Sequence, residues 1–457
     1  MKRNTLLIVL IASFFLTYVP IANAQNNASG SWKAGSARVI ITPQKPLWMA
    51  GYGSRTHVSE GVLIDLNAKA LALEDAKGNK VVLITADLLG FPKNVSDRIR
   101  NGIELKYGLK KSQIILNGSH THSGPVLSDA LTDIYPFNEQ QKEDIRKYSD
   151  NLEGKLINLA GKALKSMAPA QVYAQNGITR FQVNRRNNTE KLLTPFTELK
   201  GPNDYSVPVL RITDKAGKLK TVVFGYACHG TVLDLYKFSG DYPGFAQLAV
   251  EKMHPGVNAM FFQGAGADQN PLPRRTVALA KQYGNELAAA VDRVLGDEMK
   301  KLEPSISTAY SEINLTFATL PTKEELTKDV ETFKGWEKNW ASNQLNQLQN
   351  GKQITSYPYP VEVWKLGNLP IMILGGELVM QYDLDLKKLF GPDIFVMGYS
   401  NDDMAYIPSE TILKEGGYEG ESSQRVYGLP AKWNSDIQVK ILSEMQKIAE
   451  LAGVKKK

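Results

Sequence analysis

Apolar and polar positions along the chain follow two rhythms. Short apolar runs bounded by Gly, Asn, Asp or Pro predict strands at 37–42, 69–73, 80–85, 113–116, 207–213, 219–227 and 259–262. Others follow at 306–317, 355–365, 370–374 and 395–397. A helical period predicts helices over 95–107, 138–166, 276–302, 323–348, 381–390 and 434–452. In 138–166, Ile145, Tyr148, Leu152, Leu156, Ile157 and Leu164 form one apolar stripe. The charged stretch 323–348 reads as a surface insertion, and Asn94 or Ser96 as the cap of the first helix. Turn residues at 75–79 and 214–217 join neighbouring strands into hairpins. Strands and helices in alternation, with hairpins among them, predict an α/β fold of mixed β-sheets flanked by helices in layers. No repeat or low-complexity linker divides residues 25–457, which read as a single domain.

The amino terminus changes this picture. Lys2 and Arg3 precede an apolar run over 6–19, and Ala22-Asn23-Ala24 gives a small-x-small cleavage pattern before Gln25. Residues 1–24 therefore read as a signal peptide, and the expected location is periplasmic or secreted. No later stretch reaches about 18 apolar residues, so no stable membrane span is expected. The net charge is +7, but Lys2, Arg3 and Lys455-Lys456-Lys457 supply much of it, so nucleic-acid binding is not expected. One cysteine, Cys228, rules out an intramolecular disulfide and reads as a small buried residue.

The chemistry gathers just past strands. The predicted strand 113–116 leads to Asn117-Gly118-Ser119-His120-Thr121-His122-Ser123-Gly124-Pro125. In an extended segment, residues two apart share a face, so His120 and His122 are expected to converge. His229 follows the strand ending near Ala227, and Glu377 follows Ile371-Met372-Ile373-Leu374. Tyr406 lies beyond the strand at 395–397, and Gly264-Ala265-Gly266-Ala267-Asp268-Gln269-Asn270-Pro271 lies beyond 259–262. Sites in open α/β sheets lie outside the carboxyl ends of strands. A catalytic metal needs several such ligands at one point with a position left open.

These segments resemble the neutral/alkaline non-lysosomal ceramidases. The likeness rests on His120-Thr121-His122-Ser123-Gly124-Pro125, Ala227-Cys228-His229-Gly230, Gly376-Glu377-Leu378 and Asn184-Arg185. It extends to Tyr406-Ile407-Pro408-Ser409-Glu410 with Gly417-Tyr418-Glu419-Gly420. The resemblance implies a layered ceramidase-like catalytic domain with one zinc ion, held by His120, His229, Glu377 and Tyr406. It implies that His122, Arg185 and Tyr418 line the site. Asp87, at another strand end, is the expected acceptor for the His120 ring.

Two departures bear on chemistry. The family's serine motif is replaced by Gly266-Ala267-Asp268-Gln269-Asn270-Pro271, with Gln269 at the serine position. The family's carboxyl-terminal immunoglobulin-like domain has no counterpart before Lys457. The expected activity is hydrolysis of an amide, in an N-acyl sphingoid or related lipid or small molecule, by zinc-activated water. Gln269 or Asn270 would donate to the oxyanion and Asp268 would act on protons. The alternatives are a periplasmic hydrolase of glycan fragments and a zinc-stabilised binding protein without catalysis.

Overall fold

Successive side chains of a strand point to opposite sides, and both sides are covered here. The computed structural model describes residues 31–457, so the signal-peptide reading lies outside the described residues. A nine-stranded sheet has the order Asn258–Gln263, Leu219–Tyr226, Ser206–Asp214, Ala168–Ile178, Trp32–Ile40, Asn67–Glu74, Lys80–Ala86, Ile114–Gly118. The short strand Lys300–Lys301 pairs beside Ala168–Ile178. A second sheet has the order Ile306–Thr316, Ser356–Leu366, Leu369–Leu374, Phe395–Met397.

The two sheets pack face to face. Leu71, Leu73, Val81, Leu83 and Ile115 meet Trp364, Leu366, Ile371, Phe395 and Met397. The alternate residues, Ala70, Ala72, Val82, Ile84, Ile114 and Leu116, face the helices Lys93–Tyr107 and Glu139–Lys165. Asp241–Met253 and Val277–Gly296 cover the other half of that face. Met380–Phe390 and Ile437–Leu451 cover the outer face of the second sheet. The result is a helix–sheet–sheet–helix sandwich with mixed sheets, as the pattern predicts.

Several elements differ from the sequence reading. Ala168–Ile178, a central strand, carries Pro169, Asn176 and Gly177, which mask its β character. Asp241–Met253 is helical despite Pro243 and Gly244; Pro sits in its first turn, where no intrahelical N–H is needed. The stretch 323–348 is two helices, Lys323–Thr332 and Gly335–Gln349, broken where Gly335 takes φ 57°. They share a small core of Leu326, Trp340 and Ala341, and the Trp340 indole N–H donates to Leu429 O at 2.9 Å, so the pair is anchored. Pro92, not Asn94 or Ser96, precedes the first helix.

The two sheets are joined where their strands end. Ile114–Gly118 runs parallel to Lys80–Ala86, Asn258–Gln263 to Leu219–Tyr226, and Phe395–Met397 to Leu369–Leu374. Asn117 is fully buried and ties three of these ends together. Its Oδ1 accepts from Gln263 N–H at 2.8 Å, and its Nδ2 donates to Gly398 O at 2.8 Å and Ser400 Oγ at 3.0 Å. Asn401 adds a link, with Oδ1 accepting from Leu116 N–H at 3.0 Å and Nδ2 donating to Glu362 at 2.7 Å. Asn117→Ala removes the acceptor of the buried Gln263 N–H and one of the two donors to Gly398 O, which keeps Ser400 Oγ at 2.8 Å, so it should cost about 1–3 kcal/mol in denaturant unfolding. A loss below about 0.5 kcal/mol would show that water or relaxation replaces the amide.

Candidate functional site

The His120–His122 pair does converge, but by a turn. The strand stops at Gly118, and His120 takes φ 56°, a left-handed conformation that is rare for a side chain of this size. The turn sets the two rings edge to face at 4.9 Å, with Nε2 to Nε2 at 3.2 Å. Gly51 approaches the His122 ring closely, and a Cβ there would lie 2.4 Å from Cγ. His229 follows Leu219–Tyr226, and its ring lies 4.7 Å from that of His120. Glu377 and Tyr406 begin two short strands that pair in parallel, which sets these side chains side by side.

The hydrogen bonds fix the ring tautomers. His120 Nδ1 faces Leu89 O at 2.9 Å, and His229 Nδ1 faces Gly266 O at 2.8 Å. A carbonyl only accepts, so each Nδ1 carries a proton, and in the neutral ring Nε2 is then the acceptor. Both Nε2 atoms lie 3.2 Å from Glu377 Oε2. That oxygen is buried without a hydrogen-bond donor, while Tyr427 O–H donates to the other carboxylate oxygen. Tyr406 Oη lies 3.3 Å from His229 Nε2. The Tyr406 O–H can donate to His229 Nε2, but His120 Nε2 and Glu377 Oε2 are acceptors that face one another out of water and repel unless a cation lies between them. The donor set fits a metal ion, and two imidazoles with a carboxylate suit zinc. The nearest nitrogens of His120, His122 and His229 all lie within 4.8 Å of one another, so this cluster can hold a metal.

Burial, aided by the Arg185 charge, lowers the His229 pKa to about 4, so the ring is neutral near pH 7. Burial alone would raise Glu377; proton-bearing His120 and His229 rings would outweigh it and hold the carboxyl well below its usual range, a part that falls to a cation when the rings are neutral. Burial keeps the Tyr406 phenol protonated, against the opposing pull of Arg185.

Arg185 forms the next layer. It donates from Nε to Glu419 Oε1 at 2.7 Å and from Nη2 to Tyr406 Oη at 2.9 Å. Glu419 also accepts from Arg186 at 2.6 Å, so one buried carboxylate orients two guanidinium groups. Gly416 and Gly417, at φ 68° and 76°, turn the chain back so that Tyr418 and Glu419 face the site. The Tyr418 ring packs edge-on against Tyr406 at 5.4 Å and is 46% exposed, which places it at the mouth.

The 263–271 loop lies alongside with its side chains engaged. Asp268 accepts from Met380 N–H at 2.9 Å and Asn184 Nδ2 at 3.0 Å. Gln269 Nε2 donates to Pro202 O at 3.1 Å, while Asn270 Oδ1 lies 3.4 Å from Arg185 Nη1. Asp87 is not the acceptor for His120. It receives Asn67 N–H at 2.8 Å and Gln247 Nε2 at 3.1 Å, because its side chain leaves Lys80–Ala86 toward the helices. Leu89 O takes that place, and a main-chain acceptor leaves no mark in a sequence. Tyr427 and Tyr399 also surround the site; Tyr399 lies 4.4 Å ring to ring from His120. Both lie in the stretch 399–427, which has no strand or helix period.

A family model described as neutral/alkaline non-lysosomal ceramidase, N-terminal, matches residues 33–299. This range includes His120, His122, Arg185, His229, Asp268 and Gln269. Glu377, Tyr406 and Tyr418 lie beyond it. Neutral ceramidase B of Dictyostelium discoideum is 24% identical over 246 residues, 51% of this chain and 33% of that protein. Neutral ceramidase of Drosophila melanogaster is 25% identical over 258 residues, 52% of this chain and 34% of that protein. The matched part thus spans about a third of the length of these relatives. The solved neutral ceramidase of Pseudomonas aeruginosa superposes with a TM-score of 0.71 at 18% identity, over 92% of this chain and 74% of that one. A ceramidase solved in complex with C2 gives 0.72 at 16% identity, over 93% and 76%. With a family model matched over more than half its length, the chain belongs to the neutral/alkaline non-lysosomal ceramidase family.

Proposed function

We propose that this protein is an exported, zinc-dependent amide hydrolase acting on N-acyl sphingoid lipids or related acylated amphiphiles. One observation carries the reading: Glu377 Oε2 is buried without a donor, 3.2 Å from the bare Nε2 atoms of His120 and His229. In this reading His120, His229 and Glu377 hold the ion, with Tyr406 as the fourth ligand. Zinc bound there supplies a Lewis acid and an activated water nucleophile at neutral pH.

The chain's own groups do the rest. His122 is partly open toward the mouth, and burial keeps its ring neutral. It accepts a proton at Nε2 from the attacking water and returns it to the leaving amine nitrogen. Tyr418 donates its phenol O–H to the developing oxyanion. Arg185, fixed by Glu419, orients Tyr406 and, with Asn270, borders the reacting carbonyl. Asp268 and Gln269 act as positioning residues, since their polar atoms brace Asn184, Met380 and Pro202. Without a serine in this loop, the reaction goes through direct attack by water.

A second reading, hydrolysis of a saccharide-linked substrate, draws on the rim. The Tyr52 ring lies 4.8 Å from that of His122, and Arg275 Nη1 donates to the Tyr52 hydroxyl at 2.9 Å. Aromatic and guanidinium groups there suit a polar head group. Export rests on Lys2, Arg3, the apolar run and Ala22-Asn23-Ala24. Protein recovered from the periplasm should begin at or near Gln25, and an uncleaved chain in membranes would contradict export.

The direct test is turnover of N-acylsphingosine in mixed micelles beside glycan substrates. Fatty-acid release should stop with chelator, return with zinc, and leave no acyl group on the protein by mass spectrometry. Tyr418→Phe should lower turnover by about 10²–10³ with zinc content unchanged. Gln269→Ala should cost less, on the order of tenfold, because it acts through Pro202. Turnover of glycans alone would favour the second reading. Zinc-loaded protein that turns over neither class would favour the binding protein.

A further inference from the structure

The chain between Asn184 and Pro202 leaves the wall of the site, makes an excursion into solvent and returns. Asn188 closes its neck. Its Nδ2 donates to Asn184 O and Lys200 O, both at 2.8 Å, and its Oδ1 accepts from Lys200 N–H at 3.0 Å. Below the neck the chain is rooted in the site. Asn184 Nδ2 reaches Asp268 and Pro202 O, Gln269 reaches Pro202 O, and the next residue is Arg185.

Above the neck the tip has a fixed local shape. Leu192 N–H donates to Thr189 O at 2.8 Å, and Thr197 N–H donates to Thr194 O at 3.0 Å. Thr194 N–H donates to Thr197 Oγ1 at 2.8 Å. These bonds turn apolar side chains outward. Phe196 is 96% exposed, the most of any large hydrophobic residue described, and Leu192 is 73% exposed. Leu199 is also exposed. Isolated exposed apolar residues are ordinary, but three within eight positions on one clasped tip form a wedge.

Charge indicates what the wedge meets. Lys191 and Lys200 flank it and are exposed; Glu190 is held by Arg274 at 3.1 Å and the exposed Glu198 offsets one lysine, so the tip keeps a small positive excess. Lysines beside an apolar tip reach outward to phosphate groups while the tip sinks between acyl chains. A protein partner of ordinary interface size would need a broader apolar surface than one tip provides.

We propose that residues 189–201 form an interfacial anchor that inserts Leu192 and Phe196 into a bilayer surface carrying anionic lipid. Because the neck is the wall of the site, insertion sets the mouth beside Arg185 and Tyr418 at the level of the head groups. The anchor's purpose rests on the amphiphile reading above. Its existence is tested without substrate, so failure of the two is distinguishable.

The experiment is sedimentation of the purified chain with vesicles of phosphatidylcholine and phosphatidylglycerol. The wild type should sediment with the vesicles, and a Leu192→Ser/Phe196→Ser variant should bind about tenfold or more weakly. The variant's zinc content and unfolding midpoint should match the wild type, which excludes misfolding as the cause. Phe196→Trp should show a blue-shifted emission on adding vesicles. Equal sedimentation of variant and wild type, or none of either, would overturn the proposal. So would self-association of the wild type that the double substitution removes, since the tip would then meet a second copy.

Discussion

A carboxylate buried against bare imidazole lone pairs is the constraint around which this protein is built. Removing Glu377 from water costs several kcal/mol unless a positive charge compensates. The nearest groups are His120 and His229, whose Nδ1 protons are committed to Leu89 O and Gly266 O. The Arg185 guanidinium is directed to Tyr406 and Glu419 rather than to Glu377. The second carboxylate oxygen is taken by Tyr427. What is left is a set of lone pairs aimed at a common space. Such an arrangement is unfavourable for its own sake and can hold a metal ion.

The sandwich makes that convergence possible. His120 and His229 come from the nine-stranded sheet, and Glu377 and Tyr406 from segments beyond the second sheet. Residues from two separate sheets meet only if the sheets are locked together at that end. Asn117 provides the lock, since its amide bonds to Gln263, the last residue of a strand in its own sheet, and to Gly398, just past a strand of the other. Asn401 repeats the device, bonding Leu116 on one side and Glu362 on the other.

Much of this was legible in the sequence. The layered α/β class followed from periodicity, and the segments that supply the site could be picked out because each follows a strand. Other features depend on contacts that periodicity does not carry. The His120–His122 pair reads as an extended segment, yet it converges through a left-handed turn at His120. Asp87 looks like a ring acceptor, but a main-chain carbonyl does that work. The strand Ala168–Ile178 is hidden by Pro, Asn and Gly, because pairing on both edges sustains it where propensity does not. Asn117 resembles a turn residue in an Asn-Gly pair until its three long-range bonds are seen. Gln269 reads in the sequence as a free oxyanion donor, and only the structure shows its amide spent on Pro202.

The central question is whether the converged His120, His229 and Glu377 side chains hold a metal. Calorimetric titration of zinc into the metal-stripped protein tests this directly. The account predicts about one tight site per chain in the wild type, with binding abolished or greatly weakened in His120→Ala, His229→Ala and Glu377→Ala. No binding by the wild type, or equal binding in all three variants, would contradict it.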